Sequence, residues 1–121
     1  MPEARHINPL LQRTVQEATG GSVADLADSP HPLARALADA CERVIRAEEV
    51  IRDLAVSMLP TVQRLTEPVS TIDVFPPVML LTEPAAQLAQ HAAARAAAWW
   101  ITDDLIRAWP KTAPAPQSPR T

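Results

Sequence analysis

Two groups of carboxylates are spaced so that they could do chemistry. Glu42, Glu48, Glu49 and Asp53 share one helical stretch, and Asp103 with Asp104 lie in another. Packed side by side, two such helices could face four carboxylates at one another and hold Mg²⁺, a hard cation that takes oxygen ligands. The same residues also read as solvated helix faces. Glu48 to Arg52 and Glu49 to Asp53 are i,i+4 neighbours, and Asp39 to Arg43 and Asp103 to Arg107 have the spacing of surface ion pairs. His6, His31 and His91 show no His-x-x-x-His or Asp-x-His spacing and have no cysteine pair beside them, so zinc is not expected. Cys41 with His91 would need a third, orienting group. Cys41 instead sits next to an apolar seam, where a small inert thiol packs well. No catalytic set and no cofactor are expected.

The acidic pairs resemble those of the all-α nucleotide pyrophosphohydrolases, whose helices carry Glu-Glu-x-x-Glu and Glu-x-x-Asp. That resemblance implies an Mg²⁺-dependent hydrolase of nucleotides using Glu48, Glu49, Asp53, Asp103 and Asp104. Here Glu48-Glu49 is followed by Arg52 and Asp53, and Asp103-Asp104 lacks the second spaced pair. Trp100-x-x-x-Asp104 resembles the Tyr-x-x-x-Asp/Glu export signal of small helical-hairpin proteins of type VII secretion. The Trp-x-Gly turn of those proteins has no counterpart between positions 60 and 82. The stretch 22–38 can be cut as helix, turn, helix, but its second helix offers a DNA groove a single basic residue, Arg35.

The elements that must position these groups follow from composition. Of 121 residues, 47% are hydrophobic; 22 are Ala, and only Phe75, Trp99, Trp100 and Trp109 are aromatic. With two Gly and no Tyr, the chain lacks what strands and hairpins use, while Ala, Leu, Arg and Glu favour helix. A net charge of −3, with 11 basic residues scattered along the chain, disfavours nucleic acid and anionic membrane as partners. A lone cysteine and an N-terminus without an apolar h-region point to the cytoplasm. Ten Arg against one Lys, with abundant Ala, suggests a high-GC bacterial source. No stretch reaches the ~20 apolar residues of a membrane span.

Local signals divide the chain into an arm at 1–8, a helical domain at 9–109 and a disordered tail at 110–121. Asn8 as N-cap, Pro9 at the first helical position and Gly20 after the end predict a helix over 9–19. Ser22 and Asp25 form a capping box for a turn at 23–28. Leu37, Val44, Ile51 and Met58 recur every seven residues within 32–59, joined by Leu33, Ala40, Ala47 and Leu54, a coiled-coil-like seam. Pro60 should end or kink that helix, with 61–67 continuing as a turn or two. Thr82 as N-cap begins a last helix over 83–109, apolar on two sides. Between them, 68–82 is a proline-rich connector whose Phe75, Val78, Met79, Leu80 and Leu81 make a candidate groove for a partner or small ligand.

The reading is all-α: a long antiparallel helical hairpin with a short N-terminal helix across it, completing a four-helix bundle by dimerisation. Leu37, Val44, Ile51 and Met58 on one helix and Trp99, Trp100, Ile101 and Leu105 on the other are the expected interface. The expected function is non-enzymatic: a homodimeric scaffold, adaptor or regulatory subunit, with a second protein as a possible further partner.

Overall fold

A computed structural model describes residues 7–67 and 77–110. Among them are helices and no strand. We label them α1 (Pro9–Thr19), α2 (Val23–Asp28), α3 (Pro32–Thr66), the 3-10 turn η1 (Pro77–Leu81) and α4 (Thr82–Arg107). The arm at 1–6, the connector at 68–76 and the tail from 111 lie outside the described residues.

The first two helices form as their caps dictate. The Asn8 side-chain oxygen accepts from the backbone N–H groups of Leu10 and Leu11 at 2.8 and 3.4 Å. Gly20 closes α1 at φ 77°, a left-handed conformation in which a Cβ would clash. In α2, Ser22 Oγ accepts from the Asp25 N–H at 3.1 Å while Asp25 Oδ2 accepts from the Ser22 N–H at 3.0 Å. Both exchanges use backbone donors that would otherwise go unpaired at a helix start.

Two boundaries differ from the sequence reading. The long helix does not stop at residue 59; α3 runs through Pro60 to Thr66, 35 residues, roughly 52 Å at 1.5 Å per residue. Proline removes one N–H and crowds the carbonyl four residues back, but Val56, Leu59 and Pro60 are all exposed, so water can reach the carbonyl that loses its donor. Thr82 does not cap α4. Leu81, already helical at φ −93° and ψ −11°, stands at the cap position without a side-chain bond, because η1 feeds directly into the helix. The segment 77–81, read from sequence as part of the proline-rich connector, is therefore a 3-10 turn.

Helices α3 and α4 run antiparallel. Arg95 of α4 meets Glu48 of α3, and the Trp109 ring, just past α4, lies 6.3 Å from the His31 ring at the start of α3. The core occupies one end of this hairpin. Buried positions on α3 all fall between 34 and 47, and those on α4 are Ala98 and Thr102. Leu11, Val15 and Leu26 from α1 and α2 close that end, each fully buried. At about 100° per residue, the buried positions of α3 cover about half its circumference. One edge carries Val44 and Ala47; the other carries Ala34, Ala38, Cys41 and Ile45.

Thr102 is a fully buried hydroxyl on α4. It donates to the Ala98 carbonyl at 2.8 Å, which satisfies the donor without a partner from another helix. No buried side-chain nitrogen or oxygen among the described residues lacks a hydrogen bond.

If the core sits at this end, Leu37→Ala should cost about 3 kcal/mol through lost contacts and a cavity. Val56→Ala, at a site 59% exposed, should change stability by less than about 0.5 kcal/mol. Urea unfolding of both variants, followed by helical circular dichroism, measures the contrast.

Candidate functional site

The acidic residues do not assemble a metal centre. Glu48 is taken by a structural contact: Asn8 Nδ2 donates to its Oε2 at 3.1 Å and to its Oε1 at 3.4 Å. Arg95 Nη1 approaches from α4 at 4.0 Å. Asn8 thus caps α1 with its oxygen and ties α1 to α3 with its nitrogen, and Glu48 links both to α4. Asp103 pairs with Arg107 at 3.0 Å on the surface, while Asp53 and Asp104 are exposed. Among the described residues no three His, Cys, Asp or Glu side chains lie close enough together to share an ion. Of the residues on which the hydrolase expectation was built, Glu48, Glu49, Asp53, Asp103 and Asp104, Glu48 turns toward Asn8 and Arg95, and Asp103 toward Arg107 of its own helix.

The other candidates are placed as follows. Cys41 is fully buried and free, and burial pushes its thiol from an ordinary 9.0 to about 11. A thiol so placed stays protonated at neutral pH and is a poor nucleophile. His31 serves as the N-cap of α3, its Nδ1 accepting from the Leu33 N–H at 3.2 Å. The helix-turn-helix connectivity of 22–38 is present, yet α3 turns Ala34, Leu37 and Ala38 into the core there and exposes Arg35, Ala36 and Asp39.

The expected interface residues divide into three groups. Leu37 and Val44 are 0% exposed within the single chain, so their surface is already spent inside the molecule and they leave the interface. Ile51, Met58, Trp99 and Leu105 are half-buried, Trp99 and Leu105 against the core. Trp100 and Ile101 face outward, Trp100 with 76% of its surface exposed. Of the candidate connector groove, Phe75 and the Val78 side chain lie outside the described residues; Met79 and Leu80 are exposed and Leu81 half-buried.

The structure adds a feature that the sequence pattern did not mark. A groove of about 430 Å³ runs between α3 and α4 on the flank bearing Ile101. Ala47 and Val50 form its α3 wall; Ala94, Ala97, Ala98 and Ile101 form its α4 wall. Arg43, Arg46 and His91 border it, both arginines being exposed. The groove exists because α4 presents mostly Cβ methyls there, from Ala94, Ala97 and Ala98, and alanine gives no sequence signal of which side of a helix is covered.

Around this groove α4 is unusually bare. Every exposed residue between positions 85 and 101 is Ala, Gln, Trp100 or Ile101. The two ionisable residues in that span, His91 and Arg95, are half-buried on the inner side. On α3 beyond position 47 no residue is buried, and Val56, Leu59, Val62 and Leu65 are each more than 40% exposed. None of the helices is long and apolar enough to cross a membrane, among the described residues.

No protein-family model matches the chain, and no curated protein or solved structure matches it either. The functional argument therefore rests on the surface itself.

Two measurements test these assignments. Asn8→Ala should cost about 1 to 2 kcal/mol, combining a lost cap with a lost inter-helix bond. Adding Glu48→Ala should cost less than the sum of the two single changes, as read by a double-mutant cycle of unfolding free energies. Cys41 sets a pH window. The unfolded thiol releases its proton near 9.0 and the folded one near 11, so the folded state binds more protons between these values and stability should fall as pH rises through them. Urea midpoints across that range should show the decline in the wild type and lose its thiol-dependent part in Cys41→Ala.

Proposed function

We propose that the chain works by protein association, as a self-associating helical scaffold or adaptor, with the outer surface of the α3–α4 hairpin as its contact. The observation that carries this is the exposed face of α4 between positions 85 and 101, which carries no charge and includes a tryptophan 76% exposed. Single exposed apolar residues are ordinary on a protein surface. A continuous apolar run that includes an aromatic side chain is characteristic of contact surfaces, where Trp is enriched among the residues that dominate binding energy.

Two further features support the same reading. Alanine faces let helix axes approach toward the lower end of the 8–10 Å range, so a partner helix laid on α4 would gain close backbone packing. The distal half of α3 carries an exposed apolar stripe, Val56, Leu59, Val62 and Leu65, with α4 and η1 against the helix among the described residues. Two packed helices leave such a stripe in water unless a third element covers it. Two hairpins meeting about a twofold axis supply that element from identical parts, and each patch then meets its own copy. No coherent set of nucleophile, base and charge-stabilising groups competes with this reading among the described residues.

Light scattering after size exclusion is the direct test. Self-association predicts a mass near twice 13.1 kDa that persists at elevated salt, because the contact is chiefly apolar. A mass of 13.1 kDa at every concentration would refute it.

A further inference from the structure

Resting on the association reading, we infer that a second copy docks by laying its Trp100 into the α3–α4 groove, with its Asp104 set against Arg43 and Arg46 across a twofold axis. A closed two-copy interface requires a surface that carries both a projection and a receptor for it. This surface has both within one stretch of α4. Trp100 projects one residue before Ile101 and three after Ala97, two of the groove's own wall residues. Rotation about an axis near that stretch carries each projection toward the other copy's receptor.

The chemistry of the receptor suits this occupant. Its walls are alanine methyls with Val50 and Ile101, which leaves about 430 Å³ of open space for a flat, rigid group. Two guanidinium groups border it, Arg43 and Arg46, the second with its Nε already on Glu42 of its own helix at 3.2 Å. A guanidinium is drawn to the face of an indole and forms paired bonds with a carboxylate. The preferred occupant is therefore an aromatic ring followed closely by an acid. Trp100 and Asp104 are that pair, four residues apart on one helix and both exposed. Asp103, the neighbouring acid, already pairs with Arg107, which leaves Asp104 as the carboxylate that follows Trp100 along the same side of α4. Between positions 85 and 101 the exposed α4 face carries no charge, so two copies bring no like charges together along that stretch.

Sedimentation equilibrium of the wild type, Trp100→Ala, Asp104→Arg, the Arg43→Asp/Arg46→Asp double variant and the triple charge reversal tests the geometry. Trp100→Ala should weaken the dimer by about thirtyfold or more, as expected for a buried aromatic anchor. Asp104→Arg and the arginine double variant should each weaken it, and the triple reversal should restore most of the loss. Trp100 lies outside the core, so helical circular dichroism of its variant should remain that of the wild type. A dimer indifferent to Trp100→Ala, or a triple reversal no tighter than its parents, would overturn this docking while leaving self-association standing. A wild type that sediments only as a monomer would instead overturn the association reading, and the docking with it.

Discussion

The close packing of α3 on α4 through small side chains is the constraint on which the rest of the structure depends. Along this hairpin the buried residues include Ala40 and Ala47 of α3 and Ala98 of α4, with Thr102 alongside. Side chains of this size bury little apolar surface apiece, at ~25 cal/mol per Å², and so cannot hold two long helices by themselves. The larger fully buried residues, Leu11, Val15, Leu26 and Leu37, come from three different helices. Helices α1 and α2 are therefore necessary closures. Asn8 and Glu48 fix where the first of them sits.

The same constraint explains why the molecule has an unequal surface. The closing helices total 17 residues (11 in α1 and 6 in α2), against 35 in α3. They reach α3 only as far as its first half. Beyond position 47 the helix has α4 and η1 for neighbours, and two helices can each bury a single stripe. Val56 and Leu59 prolong the side of α3 that carries Ala38 and Ile45 against α2 nearer its start, so their exposure is a matter of missing cover. Pro60 sits in this half. A proline within a helix costs about 3 kcal/mol; at the packed end it would add to the strain of a filled core, whereas here solvent can relax around it.

How far the sequence revealed this depended on whether the signal was local. Helices α1 and α2 were legible to the residue because Asn8, Gly20, Ser22 and Asp25 act on backbone groups two to four residues away. Of the end or kink expected at Pro60, the end is absent, because the rule against proline assumes a helix that needs every bond, while an exposed helix held by its neighbour does not. The start of α4 was misread because Thr82 has the right chemistry for a cap, but η1 had already set the helical turn. A seven-residue reading of α3 finds one seam, through Leu37 and Val44, and so takes both for an interface. It passes over the second buried edge, where Ala34, Ala38 and Cys41 are too small to register as a hydrophobic stripe. Thr102 escaped because its polarity hides a side chain that satisfies itself on its own helix.

Alanine links the fold to the proposed function. On the inner side of α4 it permits close approach to α3; on the outer side it leaves a smooth, uncharged cylinder; between the two it leaves the groove. A helix built only to cover α3 would gain solubility from charged residues on its outer face at almost no cost to packing, as α3 does with Arg35, Asp39, Arg43 and Arg46. Between Glu83 in its first turn and Asp103, helix α4 exposes none. An outer face kept apolar between positions 85 and 101, where charge would be harmless, with a tryptophan set at its end, is the composition on which the proposed association rests.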